Sequence, residues 1–174
     1  MGVFGIILGN LRNMKKAKKL RTMPRAELLA MDDDEFYDAM ECITEDAVYD
    51  LVEQKDLTQE LIFAYTLIKL EVEVNNGGLC QFFVNSSRQC APYVSEALDA
   101  VGAVGIKELF DRFVTGNGID VRELSSFKIS KIEDFEKQTE RFDFDAFDDR
   151  FYEDSSLHQQ IIDYARRNVE QIVR

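Results

Sequence analysis

The sequence predicts an all-α fold: a single globular multi-helix domain over 26–174, preceded by a basic amphipathic helical extension over 1–25. Three observations carry this expectation. Apolar side chains recur at i, i+3 and i+4 through most of the chain, the period of a helix with one buried face. Only two of 174 residues are proline, Pro24 and Pro92. No hairpin dipeptide separates alternating apolar runs, which argues against a β-sandwich. An apolar share of 45%, with 13 phenylalanines, is enough for a substantial core and excludes a disordered chain.

The elements follow in order. Residues 1–25 hold seven basic side chains and no acid, after the short apolar patch "VFGIIL". That patch precedes the positive charges and is too short to span a bilayer, so it reads neither as a signal peptide nor as a membrane span. Ile6 stands where myristoylation needs Ser or Thr. Over 32–54, Phe36, Met40, Ile43, Ala47 and Leu51 form one stripe, and Asp32, Asp33 and Asp34 supply an N-cap and a negative first turn. Thr44, followed by Glu45 and Asp46, suggests a restart that would split this segment in two. Thr58 caps the next helix, whose "ELIFAYTLIKL" is apolar nearly all round and therefore central. Pro92 opens a helix, Gly102 and Gly105 punctuate, and Ile106, Leu109, Phe110 and Phe113 mark another helix, stopped by "GNG" at 116–118. Residues 119–130 read as loop, 131–142 as helix, and the stretch to 154 as polar and acidic. The last helix starts at a capping box, Ser156 with Gln159, and carries its stripe from Leu157 to Ile172.

Charge narrows the function classes. The net charge is −12, but beyond residue 25 the chain holds 14 basic and 33 acidic residues, a net of −19. Such a body is repelled by nucleic acid and anionic membranes and attracted to basic surfaces. Cys42, Cys80 and Cys90 make neither CxxC nor zinc spacing and read as buried free thiols, which fits a reducing cytoplasm. Enzyme signatures are missing: there is no GxSxG, P-loop, HExxH or dinucleotide fingerprint. His158, the single histidine, sits in the first turn of the last helix and reads as a surface or cap-proximal side chain rather than a catalytic base. "DFDAFDD" lacks the central Gly and the twelfth-position Glu of a calcium loop. No cofactor and no metal are expected.

One stretch stands out: "EVEVNNGGLCQFFVNSS", residues 71–87. Physically it reads as a long helix ending near Val74, a turn through Asn75, Asn76, Gly77 and Gly78, and a second helix that Asn76 caps and Asn85 closes. The alternative is a small polar pocket, for a ligand or a reaction, formed by Glu71, Asn75, Asn76, Gln81 and Asn85.

This stretch, followed by "APYVSEALDAVGA", resembles the DMP-type DNA-mimic protein family, a bacterial domain of unknown function. The residues that carry the resemblance are Glu71, Asn75, Asn76, Gly77, Gly78, Gln81, Phe82 and Asn85, then Ala97, Leu98 and Gly102, with "FDAFDDRFY" and "IIDYARRNVEQIV" as closing segments. The likeness spans roughly 32–174; the basic residues 1–25 depart from the pattern. It implies an all-α fold, a homodimer, and an acidic surface that occupies the DNA-binding site of a helix-turn-helix regulator.

The residues bear on that implication directly. Residues 32–53 hold ten acids and no Lys or Arg, and 133–154 hold ten more, diluted by Lys137, Arg141 and Arg150. Carboxylates three or four apart on a helix lie about 5–6 Å from each other, comparable with phosphate spacing along a strand. The expected partner surface is therefore Asp34, Asp38, Glu41, Glu45, Asp46, Asp50 and Glu53 together with Asp143, Asp145, Asp148 and Asp149. The leading expectation is a cytoplasmic, non-enzymatic interaction protein that binds a basic protein, with no direct nucleic-acid binding. The rivals are a ligand or enzymatic site at the NNGG turn and a membrane-peripheral protein anchored by residues 1–25.

Overall fold

In the computed structural model, which describes residues 14–49 and 57–173, every regular element is helical. Helix α1 covers 14–21. It is followed by α2 (Arg25–Leu29), α3 (Asp33–Tyr49), α4 (Gln59–Val84), α5 (Ala91–Val101), α6 (Val104–Gly116), α7 (Ile132–Arg141), α8 (Asp145–Glu153), α9 (Leu157–Arg167) and α10 (Val169–Ile172). Short 3-10 turns occupy Ser86–Cys90 and Ser125–Phe127. The expected positions in the leader up to residue 13, and Asp50, Leu51 and Glu53, lie outside the described residues.

Most expected start and stop signals operate. Asp32 Oδ1 accepts from the Glu35 amide at 2.8 Å, and Thr58 Oγ1 from that of Leu61 at 3.3 Å. Pro92 falls in the first turn of α5, and Gly102 ends that helix in the left-handed region at φ 80°. Four expectations need correction. Thr44 does not restart a helix: it is fully buried, its hydroxyl donates back to the Glu41 carbonyl at 3.2 Å, and α3 runs through it. The stretch before 154 is not merely polar, because α8 forms there around buried Phe147 and Phe151. The last helix divides at Asn168, whose side chain turns back onto the Tyr164 carbonyl at 2.9 Å. Its cap is not Ser156 but Asp154, which accepts from the Ser156 amide at 2.7 Å. Burial works to raise the Asp154 carboxyl, but hydrogen bonds from Ser156 and Leu157 outweigh it and hold the group below the usual carboxylate range.

The chain divides into two compact units, one comprising residues up to Tyr65 with those from Ile162 onward, the other Thr66–Ile161. In the first, Leu28, Phe36, Met40 and Ile43 are buried. Arg166 ties that unit together. It donates to the carbonyls of Leu29 at 2.9 Å and Met31 at 3.0 Å, pairs with Asp33 at 2.9 Å, and lies 4.3 Å over the Phe36 ring. Arg25 donates to the Val173 carbonyl, joining the start of α2 to the end of α10. In the second unit the core is aromatic. Phe83 is fully buried, with ring centroids 4.9 Å from Phe127, 6.0 Å from Phe113 and 6.2 Å from Phe110.

Candidate functional site

Residues 71–87 lie where α4 breaks. Its backbone leaves the helix at Gly77, with an extended φ of −170°, and at Gly78, with φ 73° and ψ 177°. A broken helix releases carbonyls on one side and amides on the other, and both need partners. Helix α8 supplies them from two side chains one turn apart. Asp148 Oδ1 accepts the Leu79 amide at 2.8 Å, and the Tyr152 hydroxyl donates to the Val74 carbonyl at 2.7 Å. The cap of the second stretch is therefore Asp148, not Asn76. Asn75 and Asn76 are exposed, and their backbone does not enter the left-handed region, which only Gly78 reaches in this turn.

Glu73 is the centre of the polar contacts. Its Oε2 accepts from Gln81 Nε2 and from Asn85 Nδ2, both at 2.8 Å, and its Oε1 from the Ser87 hydroxyl at 3.1 Å. Asn85 closes the second stretch as expected, its amide N–H on the Gln81 carbonyl at 3.0 Å and its backbone extended at ψ 176°, while its side-chain amide reaches back to the first stretch. Glu71, buried at 7% exposure, lies with both carboxylate oxygens 3.2 Å from His158 Nδ1. The lone histidine thus faces a buried acid rather than only solvent. Gln81 and Asn85 spend their amides on Glu73, and none of Asn75, Asn76, Gln81 and Asn85 lines the neighbouring open pocket of about 220 Å³, which is bounded by Gly77, Cys80, Phe142, Phe144 and the carboxylates of Asp143, Asp145 and Asp148. Burial, with a further push from Asp148, raises the Cys80 thiol to about 12, so it stays protonated and unreactive.

Asp148 has an electrostatic cost attached to its role. Burial raises its carboxyl above the ordinary range, the Leu79 amide pulls it down, and Asp145 and Asp149 push it up again. The net direction is upward. Stability from this group is thus fully present below the ordinary Asp value of about 4 and is lost as pH rises through the raised folded value. Asp148→Asn keeps the acceptor and removes the charge. It is expected to leave stability at neutral pH equal or slightly improved and to flatten the pH dependence just above pH ~4. Asp148→Ala loses the cap and should cost about 1 kcal/mol. Urea unfolding at several pH values checks both, and equal losses for Asn and Ala would show that the cap is not the source.

The expected acidic surface is distributed as follows. On α3, Asp34, Asp38, Glu41 and Glu45 fall at successive spacings of four, three and four, one stripe of the helix. Asp34, Asp38 and Glu45 are exposed and Glu41 is half-buried. Asp46 lies off this stripe and pairs with Arg21 at 3.6 Å. Asp50 and Glu53 belong to the residues not described. In the other unit Asp143, Asp145 and Asp149 are exposed, while Asp148 is half-buried and engaged at the α4 break.

Sequence reasoning missed the meeting of the two segments at Asp148 and Tyr152, the three-way role of Glu73, and the facing of His158 and Glu71. A signal existed for the first. Asp148 and Tyr152 sit at i and i+4 beside Phe147 and Phe151, so a polar pair accompanies the face that enters the core. Among the described residues no three His, Cys, Asp or Glu side chains are grouped to hold a metal ion, and no helix is long and apolar enough to cross a membrane.

Comparison with known proteins returns one family. No curated protein and no solved structure matches the chain. The model of the family described as DMP19-like protein matches residues 55–168, which include the break in α4, α8 with its capping Asp148, and His158. With about two thirds of its length inside that match, this chain belongs to the DMP19-like protein family, which is of the DNA-mimic type.

Proposed function

We propose that this protein is a non-enzymatic acidic interaction protein that binds a basic DNA-binding protein, a helix-turn-helix regulator, and blocks its DNA site. The observation that carries the reading is the stripe Asp34, Asp38, Glu41 and Glu45 on α3, with the exposed Asp32 and Glu35 beside its start. A helix holds such carboxylates about 5–6 Å apart on a stiff frame, as a nucleic-acid strand holds phosphates. Family membership supports the same class of role. Gln81 and Asn85, bound to Glu73, favour a structural task for the motif over a ligand site.

The test uses purified helix-turn-helix regulators loaded on fluorescent operator DNA. Adding this protein should release the DNA from at least one of them, read as a fall in anisotropy. Release should weaken strongly between about 50 and 300 mM salt, because exposed charge drives the encounter. The triple substitution Asp34→Lys, Asp38→Lys and Glu45→Lys should reduce release at least about tenfold, since like charges then face the basic partner. These three side chains are exposed, so helical content by circular dichroism should stay unchanged. Release that is insensitive to salt and to the triple substitution would reject the reading.

A further inference from the structure

The basic leader meets the acidic helix directly. Helix α1 (14–21) turns Ala17 and Leu20 inward, at 0% and 6% exposure, and leaves Lys15, Lys16, Lys18 and Lys19 exposed. From the same helix Arg21 pairs with Asp46 of α3 at 3.6 Å and donates to the Ile43 carbonyl at 3.4 Å. The Cys42 thiol of α3, pushed up by burial, is pulled the other way by the charge of Lys16. Arg21 thus holds α1 beside the Ile43–Asp46 part of α3, and the four lysines of α1 stand in solvent.

The charge count gives this placement its weight. Helix α3 carries seven carboxylates and α1 five cations, so the pair retains a net charge of only −2. At physiological ionic strength charges act over about 8 Å, a distance that takes in neighbouring helices. By that count a basic surface approaching the pair meets a net charge of −2 in place of the −7 of α3 alone.

We propose that α1 is a built-in cationic competitor, which holds down the affinity of the α3 acidic stripe for basic partners until its lysines are neutralised or moved away. This rests on the function proposed above and adds a regulatory element to the same surface. Helix α1 acts through its charge: Arg21 engages Asp46, off the stripe, and the exposed lysines lower the potential over α3.

The probe is a fluorescein-labelled Lys/Arg-rich helical peptide, titrated with the full chain by anisotropy at about 50 mM and 300 mM salt. The variant is Lys15→Gln, Lys16→Gln, Lys18→Gln and Lys19→Gln, which leaves Ala17, Leu20 and Arg21 in place. A control makes the same change in net charge in the other compact unit, through Arg112→Gln, Arg122→Gln, Lys128→Gln and Lys131→Gln, all exposed. The α1 variant should bind the peptide about tenfold more tightly than the unchanged chain at low salt, a gain lost at high salt, while the control gains much less. Equal gains in the two variants would mean a net-charge effect and would overturn the competitor, leaving the proposed function standing. Equal binding by all three proteins would do the same. Absence of binding by every protein, the α1 variant included, would overturn both the competitor and the acidic-surface reading beneath it.

Discussion

Replacing Phe83 by Ala is expected to cost about 3–5 kcal/mol of unfolding free energy, the range for removing a large buried aromatic. Phe83 is 0% exposed, and its ring lies between those of Phe127, Phe110 and Phe113, with Phe82 edge-on at 5.5 Å. These neighbours come from the second stretch of α4, from α6 and from the 3-10 turn at Ser125–Phe127, so no single element can relax into the space. The loss adds the transfer free energy of the ring to that of a cavity whose walls are other rings. Urea denaturation followed by circular dichroism should show a lower midpoint with an unchanged slope. Phe83→Leu, which leaves most of the volume filled, should cost clearly less. A loss under about 1 kcal/mol for the Ala variant would contradict the aromatic packing described.

Gly78→Ala is expected to be the second most damaging change, at about 2–4 kcal/mol. Two terms contribute. At φ 73° and ψ 177° the backbone occupies a region open essentially to glycine alone, and forcing a side chain there costs of order 1–3 kcal/mol. The new methyl would also run into the Asp148 carboxylate, which must then withdraw from the Leu79 amide and give up a cap worth about 1 kcal/mol. Gly77→Ala separates the two terms. There φ is extended and unstrained, and the methyl meets the Gln81 side chain, closest at its flexible amide end and more lightly at Cβ, so the main loss should be the displaced hydrogen bond to Glu73, about 1 kcal/mol. A double-mutant cycle between Gly78→Ala and Asp148→Ala should show the cap portion disappearing and the backbone portion remaining. Full additivity would mean that the two residues do not act on each other.

These two positions also show what could be read in advance. The glycine pair was legible as a break because Gly next to Asn between two apolar runs has a local backbone cause. The partners at the break were not legible, because Asp148 lies 69 residues away and no local rule links it to the Leu79 amide. The same contrast separates Asp32 and Thr58, caps that act within their own first turn, from Ser156, whose expected role passed to Asp154 two residues earlier. Short polar side chains compete for the same few amides, and the final backbone path decides which one reaches them. Thr44 was misleading for a related reason. It is a good cap in isolation, but buried on the apolar stripe of α3 its hydroxyl is satisfied by the preceding turn, and the helix continues.

The sequence by itself determined the helical class, the order and most of the ends of the helices, the free thiols, and the opposition between a basic leader and an acidic body. Each of these follows from periodicity, capping or charge within a few residues of chain. The tertiary structure alone decided that Asp148 serves the interior of the fold while Asp34 and Asp38 are exposed, that Glu73 gathers Gln81, Asn85 and Ser87, and that Arg21 of α1 pairs with Asp46 of α3. The reason is physical. A carboxylate carries the same charge wherever it stands in the chain, and only the packing of distant segments determines whether it meets an amide, a cation or water.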